Sequence, residues 1–327
     1  FRSLSDMLEE GHVNIYMFHG GTNIGFYNGC SYHNGQDPQT TTYDYDAPLN
    51  EWGNPSDKYQ AFKKVISEYT KIPEIKLSTD IKFKNYGSIK LSNKVSLFST
   101  LDKIAKPIHN DITLNMEKLN QNFGYILYRA NIGKKRTFEK AKLADCDDRA
   151  QVFINEKHVV TQYKETMGEN IPLTLDKEDN NIIDILVENL GRINYGASLV
   201  SPKQRKGIKG GVMLDIHFHS GWDHYSLELD NIDDVDFSGE YKENTPAFYE
   251  YTFNVKEKGD TFIHLPNFGK GSAFINGFNI GRFWEIGPTR YLYIPAPLLK
   301  EGENRIVIFE TEGRYQDTIQ LSDKPLY

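Results

Sequence analysis

The residues best suited to chemistry lie between positions 19 and 52. There Tyr43-Asp44-Tyr45-Asp46-Ala47-Pro48 sets two phenols and two carboxylates side by side. A phenol buries apolar ring area while its hydroxyl reaches a polar group, a combination that suits a sugar. Upstream, Gly20, Gly21 and Gly25 permit tight turns or a close backbone approach to a ligand. The same residues also make a structural loop, in which Asp side chains cap turns and Tyr rings pack. Spacing alone leaves both readings open.

The neighbouring elements would position this stretch. Residues 3–10 read as the end of a helix, with Gly11 as its left-handed stop. The apolar run at 12–19 lacks clean alternation and predicts a buried parallel strand, centred on 13–18. A long stretch rich in Gly, Asn, Thr and Tyr follows without periodicity, and such stretches in compact proteins are usually functional. Ser56 then caps a helix in which Tyr59, Phe62, Ile66 and Tyr69 recur at helical spacing, and Pro73 closes it. Helix, strand, loop, helix is the grammar of a βα-barrel or a doubly wound sheet. In a barrel, the loops that follow the strands build the active site. A single strand of such a sheet is expected here, so its partners are expected upstream or on another chain. The opening at Phe1, without an initiator Met or a leader, reads as a piece of a longer protein or a processed product.

Beyond Pro73 the pattern changes. Short alternating runs at 95–98, 125–128, 150–154, 182–187, 248–255, 261–265, 273–275 and 305–309 are separated by turn residues, and no further helix is expected. This is the signature of β-sandwiches. A repeat runs through them: the block ending at Asn155 matches the block ending at Asn276, and 181–188 matches 304–310 at nearly the same offset. A Gly-Arg pair follows each second block, Gly191-Arg192 and Gly313-Arg314. A two-copy repeat of this length means two related domains rather than a solenoid, whose periods are about 20–50 residues. Two tandem jelly-roll sandwiches are expected.

Composition narrows the function. The 327 residues are 39% hydrophobic and 25% charged, with apolar content enough to offset ordering entropy. No run reaches the roughly 20 apolar residues of a membrane span. A net charge of -7 and pI ≈ 5.8 argue against nucleic acid as partner. Cys30 and Cys146 are too few for a disulfide scaffold or a thiolate metal site; both read as free thiols, which favours a reducing, cytoplasmic setting. His217, Phe218, His219 and His224 lack the ligand set of a zinc site, and residues 230–236 lack the order of a calcium loop. Neither cofactor nor metal is expected. Aromatic content of 13% suits sugar stacking, and equally the filling of β-sheet cores.

Four motifs add a resemblance. Tyr16-Met17-Phe18-His19-Gly20-Gly21-Thr22-Asn23-Ile24-Gly25-Phe26 and Thr42-Tyr43-Asp44-Tyr45-Asp46-Ala47-Pro48-Leu49 resemble the end of the catalytic barrel in glycoside hydrolase family 35 β-galactosidases. Glu188-Asn189-Leu190-Gly191-Arg192-Ile193-Asn194-Tyr195-Gly196 and Asn276-Gly277-Phe278-Asn279-Ile280-Gly281-Arg282-Phe283-Trp284, with Gly287-Pro288 beyond, resemble that family's two β-domain motifs. The resemblance covers essentially the whole chain. It implies a retaining mechanism with two glutamates, one in an Asn-Glu-Tyr motif and one near a Glu-x-Trp motif, both upstream of the family's eighth barrel strand. Neither motif occurs here. Asn50-Glu51-Trp52 follows the tyrosine block, and Glu285 lies in the second β-domain, so neither is assigned as catalytic.

The resemblance therefore implies the last strand and flanking helices of a TIM barrel (1–70), a linker with strands (71–105), and two galactose-binding-like jelly-roll domains (106–215 and 216–327). No residue of this chain is expected to be catalytic, and the chain alone is expected to be inactive. Tyr45 and Tyr43 are expected to line the subsite for a terminal β-galactoside. Phe18, His19, Gly20, Gly21, Thr22 and Asn23 are expected to form the pocket floor. Tyr195 either contacts the aglycone side or packs within its β-domain. Asp44 and Asp46 are expected to organise the loop, Phe283 and Trp284 to pack, and Arg192, Arg282 and Arg314 to make structural hydrogen bonds. The expected partners are a β-galactoside glycan and the missing half of the barrel, with no membrane. The rival reading is a non-catalytic carbohydrate-binding or scaffold fragment built on the sandwiches.

Overall fold

The computed structural model describes residues 2–32, 36–74 and 81–326. It is mainly β, with helices α1 (Arg2–Glu10), α2 (Asp57–Tyr69) and α3 (Leu97–Ile104). The cap of α2 is the expected one: the Ser56 hydroxyl accepts from the Tyr59 backbone N–H at 3.4 Å. The strand expected at 13–18 does not form. A strand needs a neighbour, and here only His19 finds one, in a parallel bridge to Leu49. The stretch read as structureless instead holds a small sheet, in which Gly29–Tyr32 pairs in parallel with Arg192–Tyr195 and antiparallel with Gln36–Pro38. Helix α3 is a second correction. Leu97, Phe98, Leu101 and Ile104 recur on one face and are buried, but the helix is only 8 residues long and follows directly on a strand.

The first sandwich packs a six-stranded sheet on a four-stranded one. In the six-stranded sheet Tyr125–Asn131 lies between Trp222–Leu227 and Ile182–Glu188, and the latter pairs onward with Arg149–Ile154. Trp222–Leu227 thus belongs to this sheet, although it lies beyond residue 215. Ile126, Tyr128, Val152 and Ile185 face Phe138, Leu143, Ile208 and Val212 of the four-stranded sheet. The second sandwich is an eight-stranded sheet that curls over, since strands at both its ends contribute to one core. Gly87–Ser96, from the expected linker, pairs inside it between Ala247–Val255 and Thr318–Ser322.

The repeat is real in geometry. Asn155 and Asn276 both adopt left-handed backbone (φ 51 and 49), and each side-chain oxygen accepts from a backbone amide of the matching strand, Ile182 at 3.0 Å and Arg305 at 3.1 Å. A short polar side chain that bonds locally is suited to that conformation.

A third core joins the two sandwiches. Tyr125, Leu127, Phe153 and Leu186 turn their side chains away from the first core and meet Phe248, Phe274, Val307 and Phe309 of the second. Their strands are buried on both faces, so they read as nearly continuous apolar runs. At the edge of this core sits a charged junction. The Glu188 carboxylate, fully buried, accepts from Arg282 at 2.8 Å, Lys270 at 3.0 Å and Arg149 at 3.4 Å. Burial pushes this carboxyl up, but Lys270, Arg282 and Arg149 together outweigh it and hold it below its ordinary value. Burial likewise lowers Lys270 to about 8, against the pull of Glu188.

Removing one member of such a cluster leaves uncompensated buried charge. Glu188→Gln is expected to cost about 3–5 kcal/mol of unfolding free energy. Denaturant titration checks this, and adding Lys270→Met should recover part of the loss.

Candidate functional site

The segment from 18 to 52 is held by a backbone ladder. Asn23 N–H donates to Thr41 at 2.7 Å, Tyr43 N–H to Gly21 at 2.9 Å, and Leu49 N–H to Phe18 at 3.1 Å. The ladder is so close at Gly20 that a Cβ there would lie 1.5 Å from the Tyr43 carbonyl oxygen. Any side chain at this position would push the tyrosine loop out. Thr41, Tyr45 and Asp46 all carry positive φ (51, 46 and 54). Such backbone costs about 1–3 kcal/mol per residue and persists only where the surroundings over-determine it. For Thr41 the surroundings are Arg282: the Thr41 hydroxyl donates to its carbonyl at 2.5 Å and accepts from its N–H at 2.8 Å. The Arg282 side chain completes the anchor, donating to Asn28 at 2.9 Å as well as to Glu188.

This loop forms one side of a cavity of about 590 Å³, within the usual range of small-molecule sites, about 300–1,000 Å³. Tyr43 and Tyr45 both line it, with ring centroids 4.7 Å apart in an edge contact. Tyr45 is 71% exposed and Tyr16, which hydrogen-bonds the Tyr43 phenol, is 90% exposed. Burial first, and that bond second, raise the Tyr43 phenol above its ordinary value. Asp44 accepts from the Ala47 N–H at 3.3 Å, and Asp46 pairs with Lys58. Both aspartates organise the loop.

The other sequence-predicted residues stand apart from this cavity. Phe18 packs edge-on against Tyr59 (6.0 Å) and borders a groove on α2 with Ile15, Phe62 and Ile66. His19 bonds the Glu51 carbonyl at 3.2 Å, and Gly20, Gly21, Thr22 and Asn23 form the ladder behind the tyrosines rather than the cavity lining. Tyr195 is 65% exposed at the edge of the small sheet, opposite Ser31, and does not line the cavity. Phe283 is core, and Trp284 stacks on Tyr163 (6.0 Å) with the Lys270 ammonium 4.2 Å from its ring. Among the described residues no group of three His, Cys, Asp or Glu could hold a metal ion.

Sequence reasoning missed the opposite wall, Pro288, Thr289 and Tyr291 of the second sandwich. It also missed Glu51, which joins that wall to the ladder: its buried carboxylate accepts from Thr22 at 2.6 Å and from the Tyr291 hydroxyl at 3.3 Å. Burial pushes this carboxyl above its ordinary 4.5, and the Thr22 and Tyr291 bonds only partly offset that. The signal in the sequence was an acidic residue directly before Trp52, whose ring packs on Phe262 of the second sandwich at 5.0 Å.

Fold and loop together define a class, tandem β-sandwiches with a cavity of small-molecule size between a loop and the second of them, and comparison with known proteins narrows it. Residues 2–69 match the profile "Glycosyl hydrolases family 35", residues 113–228 "Beta-galactosidase, first all-beta domain", and residues 246–304 "Beta-galactosidase, galactose-binding domain". The chain is similar to Beta-galactosidase 1 of Dictyostelium discoideum, 33% identical over 95% of this chain and 51% of that protein. It is also similar to Beta-galactosidase 8 of Oryza sativa (34%; 98% of this chain, 54% of that one) and to human Beta-galactosidase-1-like protein 2 (32%; 99% and 52%). The chain belongs to glycoside hydrolase family 35. It spans about half the length of the curated relatives it matches.

Glu51 gives the site a pH signature. Its folded-state value lies above the unfolded one, so its stabilising contribution is complete below pH 4.5 and is lost as pH rises through the folded value. Glu51→Gln should therefore gain melting temperature relative to wild type as pH is raised from 4.5 toward neutrality. Melting curves across that interval check it, and a constant difference would contradict it.

Proposed function

We propose that this chain is the C-terminal portion of a retaining β-galactosidase that hydrolyses terminal non-reducing β-D-galactosides. Its two catalytic glutamates lie upstream. The observation that carries the reading is the Tyr43–Tyr45 pair lining a cavity of small-molecule size, with Tyr45 in strained backbone. Family membership supports it, as does the apolar groove along α2. Tyr59, Phe62 and Ile66 line it beside Ile15 and Phe18, and α2 contains no buried residue. An apolar helix face is what a barrel segment presents to the rest of its barrel.

On this reading residues 1–70 are the end of the TIM barrel and two jelly-roll domains follow, the first reaching to Leu227 and the second taking in Gly87–Ser96 from the linker. Tyr45 and Tyr43 contact the galactose, and the ladder of residues 18–23 supports them from behind. Tyr195 approaches the aglycone from the first sandwich. Retention requires two carboxyl groups about 5–5.5 Å apart, one protonating the leaving oxygen and the other attacking the anomeric carbon. The tyrosines bind and orient the sugar between them. A hydroxyl that meets the sugar ring more closely as it flattens toward the oxocarbenium-like state lowers the barrier, whereas a contact equal in both states lowers only the Michaelis constant.

Two outcomes test this. Purified on its own, the chain should not turn over an aryl β-galactoside, because neither reacting carboxylate is present. In the complete protein, Tyr45→Phe should lower kcat/KM by about tenfold to a hundredfold, the worth of one hydrogen bond to a charged or partly charged partner. Tyr43→Phe should cost less. Wild-type kinetics for Tyr45→Phe, with an unchanged melting temperature, would remove the loop from the substrate site.

A further inference from the structure

The cavity has two walls from distant parts of the chain. One is the loop from Pro38 to Asp46; the other is Pro288, Thr289 and Tyr291, at and just before the start of strand Tyr291–Ile294 of the second sandwich. The two are locked together. Thr41 of the first wall exchanges two hydrogen bonds with Arg282, and Tyr291 of the second donates to Glu51. The walls therefore hold a fixed separation, the condition for a specificity device.

The groups on the second wall are not equivalent. The Tyr291 hydroxyl is engaged by Glu51, and the Pro288 side chain has no polar atom. Thr289 is half-buried, and its hydroxyl donates to the Tyr291 carbonyl at 3.1 Å. That bond fixes the proton, leaving the oxygen as an acceptor for a ligand hydroxyl. Resting on the β-galactosidase reading above, we infer that Thr289 is a specificity-determining residue. It accepts a hydrogen bond from the sugar to which the terminal galactose is joined. The tyrosine wall belongs to the catalytic segment and faces the galactose. The wall lent by the other domain faces what lies beyond it.

The test is steady-state kinetics of the complete protein on an aryl β-galactoside and on a galactosyl disaccharide such as lactose. The aryl group has no hydroxyl to offer Thr289. Thr289→Val keeps the side-chain shape and should lower kcat/KM for the disaccharide by about tenfold, leaving the aryl substrate within about twofold. Thr289→Ser restores the hydroxyl and should restore the ratio of the two substrates, an effect that a folding defect in Thr289→Val would not mimic. An unchanged substrate ratio in Thr289→Val, or equal losses on both substrates, overturns the inference while leaving the β-galactosidase reading intact. A wild-type protein that hydrolyses neither substrate overturns both.

Discussion

The Arg282 anchor of the tyrosine loop rests on one carboxylate. Glu188 ends a strand shared by the first core and the inter-sandwich core, and it accepts from three cations: Arg149 of its own sandwich, and Lys270 and Arg282 of the other. Taking these charges out of water is costly, and their mutual attraction roughly offsets that cost rather than adding much stability. The junction's contribution is one of geometry. A slipped docking of the sandwiches would strand a buried guanidinium or ammonium, whereas a slipped apolar contact would simply repack. Glu312 pairs with Arg149, and the Asn189 carbonyl accepts from Arg282 at 2.7 Å.

From this junction a short path leads to the site. Arg282 reaches Asn28 with its side chain and Thr41 with its backbone, and Thr41 lies two residues before Tyr43. The close contact at Gly281 belongs to the same path, because a Cβ there would meet the Thr41 side chain at 2.7 Å. The loop is thus supported from the β-sandwiches, while its ladder partners at 18–23 come from the glycosidase-like segment. A strained loop held on both sides is pre-organised.

Much of this was legible in the sequence, for local reasons. Alternating runs became strands, Ser56 became a cap, and the Asn155/Asn276 repeat became a repeated turn, since each depends on residues near in sequence. The tyrosine pair stood out because its two phenols alternate with two carboxylates in a stretch without helical or strand periodicity. What escaped was long-range. The Arg282 contacts span 94 residues to Glu188 and 254 to Asn28, and nothing in Gly281-Arg282-Phe283 distinguishes a junction arginine from a surface one. Thr289 and Glu51 escaped for the same reason. The expected strand at 13–18 failed differently, since an apolar run states that a segment is to be buried but not what buries it. Helix α3 escaped because its eight residues give one apolar stripe too short to separate from a strand's end.

The claim that the junction holds the loop is tested most directly by amide hydrogen exchange on Arg282→Lys. Lysine keeps a positive charge for Glu188 but cannot donate to Glu188, Asn28 and the Asn189 carbonyl at once. The account predicts that the Asn23 and Tyr43 amides, which form the ladder, exchange about tenfold faster or more, while amides of the central strand Ala247–Val255 keep their protection. Unchanged protection at Asn23 and Tyr43 would contradict it.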